Sequence, residues 1–313
     1  MGAWLTKNHI EIAEESSKVG AILEFYGYKN INDDFINDIV GDEKIKWVQI
    51  SKSLPDEAYM VIDSILAKKP ELIFRIYGLY GESKFDISFL ERMPHLERLR
   101  IDCHLGECQD MIDFNVLTRL NLKVLHLDAF DLRDYSFMQH LSTELEQVVI
   151  NADTMGGAIK FDCNWLLRYN LLNLVWLGKK AKKNIDCLAK MQTIKSLSLR
   201  GIKLSNFDFL KQMKLEKLAL LWNSNNELGD LGELTSLKEL ELWRINKLNN
   251  IDFISNLDNL EVLRLQDLKH VTQLPDLSRL CNLRKIVLDN TGIQIDEIDG
   301  CLKSKIERFN FKE

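Results

Sequence analysis

Four prolines in 313 residues leave no Pro-rich linker in this chain. No run of 18 apolar residues occurs, so no segment reads as a membrane-spanning helix. Acidic and basic residues are interspersed at a net charge of −6, with no long basic run, which argues against a nucleic-acid footprint. The chain has no H-E-x-x-H, G-x-S-x-G, P-loop or G-x-G-x-x-G pattern. An enzyme, a metal and a cofactor are therefore all unexpected. Six cysteines (Cys103, Cys108, Cys163, Cys187, Cys281 and Cys301) include no C-x-x-C. The start, MGAWLTKNHIEIAEESSK, lacks the basic opening and apolar core of a signal peptide. Reduced thiols and a cytoplasmic location are the expectation. Gly2 and Thr6 match the short myristoylation pattern, too short to outweigh coincidence. Cys103, His104 and Cys108 lack the spacing and fourth partner of a zinc site. Met155-Gly156-Gly157 reads as a loop.

What is abundant is leucine at fixed spacing. The frame L-x-x-L-x-L occurs as Leu237, Leu240, Leu242, as Leu260, Leu263, Leu265, and as Leu283, Ile286, Leu288, restarting at the same interval each time. In L-x-L both apolar residues lie on one face of a short strand, and the first Leu fills the bend before it. One such unit cannot bury its own apolar face, so units must stack around a shared core.

The same frame runs back through the chain. It reads Ile45, Val48, Ile50; Phe74, Ile76; Leu96, Leu99, Ile101; Leu122, Leu125, Leu127; and Leu145, Val148, Ile150. It continues as Leu172, Val175, Leu177; Ile194, Leu197, Leu199; and Leu215, Leu218, Leu220, and closes as Ile306, Phe309, Phe311. Spacings between the last apolar residues run from 21 to 27. The longer pitch falls in the N-terminal half, whose extra residues belong on the convex side. The predicted organisation is an N-terminal cap with a degenerate first repeat around Leu23 and Phe25 over residues 1–40, then one continuous solenoid over 41–313. Trp4, Leu5, Ile12 and Ala13 suggest a weak helical face in the cap.

Between strands an apolar-Asp-apolar signal recurs at Asp86, Asp113, Asp186, Asp208 and Asp252. Aspartate accepts from the free N–H groups that open a helical turn, so these read as caps of short helices or 3₁₀ turns. The rival reading, a row of metal or catalytic carboxylates, lacks any partner residues.

These frames, with LSRLCNLRKIVLDNTGI near the end, resemble the leucine-rich repeat superfamily, and the short pitch from Ile194 onward is similar to the internalin-type bacterial class. The usual Asn three residues after the last Leu is mostly absent, present only as Asn223. The resemblance implies an α/β solenoid: a horseshoe with one curved parallel sheet of about 12–13 strands and short helices or 3₁₀ turns outside. It also implies protein–protein recognition on the concave sheet. The residues flanking the two core positions should face that surface. By this count Trp176, Arg200, Leu221, Glu241, Trp243 and Arg264 form the candidate partner-binding patch, tryptophan and arginine being common interface anchors. The alternative is that the tryptophans pack within the solenoid, and Trp222 is expected to tuck into a turn. The expected partner is another protein, with neither nucleic acid nor membrane, and an inhibitor or immunity protein is one concrete version. A scaffold is the alternative, and an enzyme with its site on the longer N-terminal loops is the rival from another class.

Overall fold

Alternation decides the strands. In β10 (Ser196–Arg200), β11 (Lys217–Leu221) and β12 (Glu239–Trp243) every second residue is buried. The buried pairs are Leu197 and Leu199, Leu218 and Leu220, and Leu240 and Leu242, each at most 2% exposed. Parallel pairing sets Leu218 beside Leu240 and Leu220 beside Leu242, so each core leucine stacks on its counterpart one repeat away. The computed structural model describes residues 8–19, 23–78, 86–103, 112–129, 132–152, 158–178, 181–294 and 300–308. They pack as two compact units, Met1–Lys160 and Phe161–Glu313.

The second unit holds β9 (Asn173–Leu177), β10, β11, β12, β13 (Val262–Gln266), β14 (Lys285–Asp289) and β15 (Ile306–Arg308), in chain order and parallel. The first unit holds β4 (Trp47–Ile50), β5 (Ile73–Tyr77), β6 (Arg98–Cys103), β7 (Val124–Ala129) and β8 (Gln147–Asn151), again parallel and in order. Together β4 to β15 are twelve repeat strands, the number the frames predict. Short 3₁₀ turns follow most of them. This is the leucine-rich repeat fold.

Three expectations fail. The cap is not helical. Ile10 and Ile12 are buried in a strand, β1 (His9–Ala13), held between two parallel neighbours. Trp4 and Leu5 lie outside the described residues. The degenerate repeat around Phe25 is a strand, β3 (Leu23–Gly27), but β1 separates it from β4, pairing with both. A short antiparallel strand, β2 (Ser17–Val19), covers the edge of β3.

The second failure is the frame of β9. Leu174 pairs with Leu197 and Trp176 with Leu199, so the core positions are Leu171, Leu174 and Trp176, one residue earlier than expected. With a side-chain period of 2, a one-residue slip moves every side chain to the opposite face. Trp176 is 2% exposed, stacks on Phe161 at 4.0 Å and donates its indole N–H to the Ala181 carbonyl at 2.8 Å. It is a core residue, whereas Leu172 is 44% exposed.

The third is the final frame. Ile306 pairs with Ile286, so it fills the second apolar position, not the first. Phe309 and Phe311 lie outside the described residues, as do His104, Cys108 and the loop at Met155.

Two α-helices lie near the N-terminus, α1 (Asp33–Gly41) before β4 and α2 (Asp56–Lys68) between β4 and β5, where it takes up the extra length of that repeat. Asn32 caps α1 by accepting from the Phe35 N–H at 2.9 Å. Helix α2 buries Tyr59, Ile62, Ile65 and Leu66, with Tyr59 stacked on Phe89 at 4.0 Å. The other turns open on an Asx side chain that accepts from the N–H two residues on. Asp86, Asp113, Asp134, Asp162, Asp230 and Asp276 do so at 2.7–3.1 Å. Asp86 and Asp113 thus act as predicted. For the repeats of Asp208 and Asp252 the acceptor is instead Asn206 (3.1 Å) and Asn250 (2.8 Å), two residues earlier. Asp186 lies inside its turn, Ile185–Lys190.

Candidate functional site

The sheet face turned away from the core differs between the two units. In the first, it is a polar ladder of cross-strand pairs. Glu11 accepts from Ser51 and from Gln49 (2.9 Å), and Gln49 accepts from Arg75 (3.2 Å). Arg75 pairs with Asp102, and Arg100 bridges Asp102 and Asp128 at 3.0 Å each. Glu11, Gln49 and Asp102 are at most 9% exposed, while the Arg100 side chain keeps 35% of its surface. Burial raises the Asp128 pKa against the pull of Arg100. Burial, with the Arg100 charge, pulls the His126 pKa down to about 4, so at neutral pH its ring is uncharged beside Gln147 at 2.8 Å. Arg75 and Arg100 thus pair with Asp102 and Asp128 on their own or the next strand, while the Nε atoms of both are buried without a partner.

In the second unit the corresponding row reads Val175, Ser198, Ala219, Glu241, Arg264 and Val287. Flanking it on consecutive strands are Arg200, Leu221, Trp243 and Gln266. At about 4.8 Å per strand these four span roughly 15 Å. All are half-buried, so a protein surface can reach them. Five of the six predicted patch residues therefore lie together, and Trp176 does not. Arg264 is 3.4 Å from Glu239, whose pKa is lowered first by the Lys217 hydrogen bond. Burial raises the pKa of Glu241, opposed by Arg264.

Sequence reasoning missed the turns at the end of this row. The second residue after the core pair of β10 to β14 is left-handed: Gly201 (φ 69°), Trp222 (56°), Arg244 (55°), Asp267 (50°) and Asn290 (48°). The first four donate their N–H to the next repeat, at Leu221, Trp243, Gln266 and Asp289, over 2.7–3.0 Å. This geometry projects Trp222 and Arg244 beside the patch. Arg200 lies over the Trp222 ring at 3.9 Å and Arg244 at 4.8 Å, and Trp243 meets it edge-on at 5.6 Å. Trp243 donates its indole N–H to Asp267 at 2.9 Å, and Asn290 donates to the same carboxylate at 2.6 Å. Those two bonds, Asn290 first, hold the Asp267 pKa below the usual carboxylate value. The signal was available: Gly78 and Gly201 occupy this position in other repeats, marking it as a left-handed turn in which tryptophan is out of place.

Among the described residues no group of three His, Cys, Asp or Glu side chains is arranged to hold a metal. The longer N-terminal loops, on which the rival enzyme reading would put its site, lie partly outside the described residues (79–85, 104–111 and 153–157). No described helix is long and apolar enough to cross a membrane.

No protein-family profile and no curated protein sequence matches the chain. Solved structures do. An internalin, InlF from Listeria monocytogenes, superposes with a TM-score of 0.52 at 18% identity over 85% of this chain and 78% of that one. The functional domain of InlJ from the same organism gives 0.51 at 17% identity, over 86% of this chain but only 58% of InlJ. A leucine-rich repeat protein of Leptospira interrogans, LIC12759, covers 90% of this chain with a TM-score of 0.39 at 15% identity.

Proposed function

We propose that this leucine-rich repeat chain is a non-enzymatic recognition module that binds another protein on the sheet face of its second unit. The observation that carries this reading is the grouping of Arg200, Leu221, Trp243 and Arg264, with Trp222 and Arg244 at its edge. Large amphipathic side chains concentrated on a rigid sheet supply most of an interface's energy. On the first unit's face Arg75 and Arg100 are already paired with Asp102 and Asp128, which favours the second unit as the contact surface. An inhibitor that covers a target enzyme is the more specific form of this reading, and a scaffold is its alternative. Buried Cys163 and Cys187 carry free thiols, which suits a reducing cytoplasm.

The test is comparative capture. Wild-type protein and two variants are used as bait, and captured proteins are quantified by mass spectrometry. The variant Leu221→Ala/Trp243→Ala should lose the stoichiometric partner. Glu233→Gln, on an exposed 3₁₀ turn between strands, should retain it. One stoichiometric partner favours inhibition and several favour a scaffold. Equal capture by all three baits removes the sheet face as the binding surface.

A further inference from the structure

Beside the patch, the turns after β9, β10, β11 and β12 border an open pocket of about 480 Å³ lined by Lys182, Lys203, Trp222, Asn223 and Arg244, among others. Among the described residues no carboxylate lines it. Lys182 donates to the Lys203 carbonyl, and neither lysine nor Arg244 forms an ion pair among the described residues. Asp267 is the acidic group that feels Arg244, and it is held instead by Trp243 and Asn290. The lining is therefore cationic.

Two further observations single this cavity out. Asn223 is 3% exposed, yet neither its amide nitrogen nor its amide oxygen has a partner, and the Trp222 indole N–H has none either. Buried polar groups are nearly always hydrogen-bonded, so three unpaired atoms on adjacent residues are exceptional. Trp222 is also left-handed at φ 56°, where the preceding repeat has Gly201. A bulky side chain is strained there, and such strain collects at ligand sites.

We infer that this cavity receives an acidic peptide segment of the partner protein: carboxylates on Lys182, Lys203 and Arg244, a peptide group on the Asn223 amide, and an apolar stem on Trp222. This rests on the partner-protein reading above. An extended segment fits better than a single small anion. The three cations come from the turns after β9, β10 and β12, and neighbouring strands are about 4.8 Å apart, so the charges spread over roughly 15 Å. Alternate side chains of an extended peptide lie about 7 Å apart, so two such steps match that spread. Asn223 offers both a donor and an acceptor, the complement of a peptide group, whereas a carboxylate alone offers acceptors only.

The probe is acetyl-tetraglutamate amide in about 10 mM salt, where screening is weak. Binding is followed by calorimetry and by the indole N–H resonances of the intact protein, with Trp222 assigned by substitution. Tetraglutamate should bind saturably and shift the Trp222 resonance. Tetraglutamine at the same concentration should do neither. Lys203→Gln and Arg244→Gln should each weaken binding several-fold, and Trp222→Gly at least tenfold. Glycine suits a left-handed φ, so Trp222→Gly removes the ring while relieving the backbone, and its melting temperature should not fall sharply. Equal binding of tetraglutamine overturns the proposal, as does undiminished affinity in all three variants. A Trp222 shift produced by inorganic phosphate but not by the peptide also overturns it. The parent reading fails separately: if the Leu221→Ala/Trp243→Ala bait keeps its partner while tetraglutamate still binds at Trp222, the sheet face is wrong and the cavity stands.

Discussion

Replacing Trp176 tests the β9 register directly. Its ring is 2% exposed, stacks on Phe161 at 4.0 Å and anchors the Ala181 carbonyl through its N–H. Truncating a core tryptophan to alanine costs about 3–5 kcal/mol in lost transfer energy and cavity formation. Trp176→Phe keeps a ring against Phe161 but leaves the Ala181 carbonyl without its donor. That variant combines loss of the hydrogen bond, about 1–2 kcal/mol, with a smaller cavity than alanine leaves. With a urea m-value of about 3 kcal/mol/M, the alanine variant should lower the unfolding midpoint by about 1 M or more. Urea titration followed by circular dichroism is the assay. If Trp176→Ala keeps the wild-type midpoint, the ring is not in the core and the register is wrong.

Three further outcomes follow from the same structure. Leu240→Ala and Leu263→Ala, each at a position at most 1% exposed, should cost about 2–5 kcal/mol apiece in denaturant unfolding, and midpoints equal to wild type would contradict the stacked core. Asn250→Ala should cost about 1 kcal/mol by removing the acceptor for the Asp252 N–H, and a variant as stable as wild type would show that the turn does not depend on this cap. The His126 pKa is lowered to about 4 in the folded chain, so on acidification the unfolded state takes up its proton first. The resulting stability is present above about pH 6.5 and declines toward pH 4, with a slope of at most about 1.4 kcal/mol per pH unit. Melting temperatures of wild type and His126→Asn between pH 7 and 4.5 isolate it. Parallel slopes would place His126 in water.

The repeat frame made the fold legible because L-x-L fixes which face each residue takes. Where the frame was mistaken, the cause is specific. In Asn170-Leu171-Leu172-Asn173-Leu174-Val175-Trp176-Leu177 two offsets both supply apolar residues, and the choice of Leu177 over Trp176 put leucine at the last position. Spacing held the answer. Taking Trp176 as the last core position evens out the intervals back to Ile150 and on to Leu199, whereas Leu177 lengthens the first and shortens the second. At the N-terminus, HIEIA is too short for period to separate strand from helix without its partners β3 and β4. Of the site, Arg200, Leu221, Glu241, Trp243 and Arg264 were legible because they lie on strands. Trp222 and Arg244 were not, because a left-handed φ rather than alternation aims them. The polar ladder of the first unit depends on pairing between strands that no single frame reveals.

The most direct test is calorimetric titration of the captured partner into wild type and Trp243→Ala, alongside thermal melts of both. Trp243 is half-buried on the sheet face, held by one bond to Asp267 and an edge contact with Trp222. Truncation of an interface anchor costs about 2 kcal/mol or more, so affinity should fall by at least roughly thirtyfold while the melting temperature drops only modestly. Unchanged affinity with a sharply lower melting temperature would make Trp243 a packing residue and contradict recognition on this face.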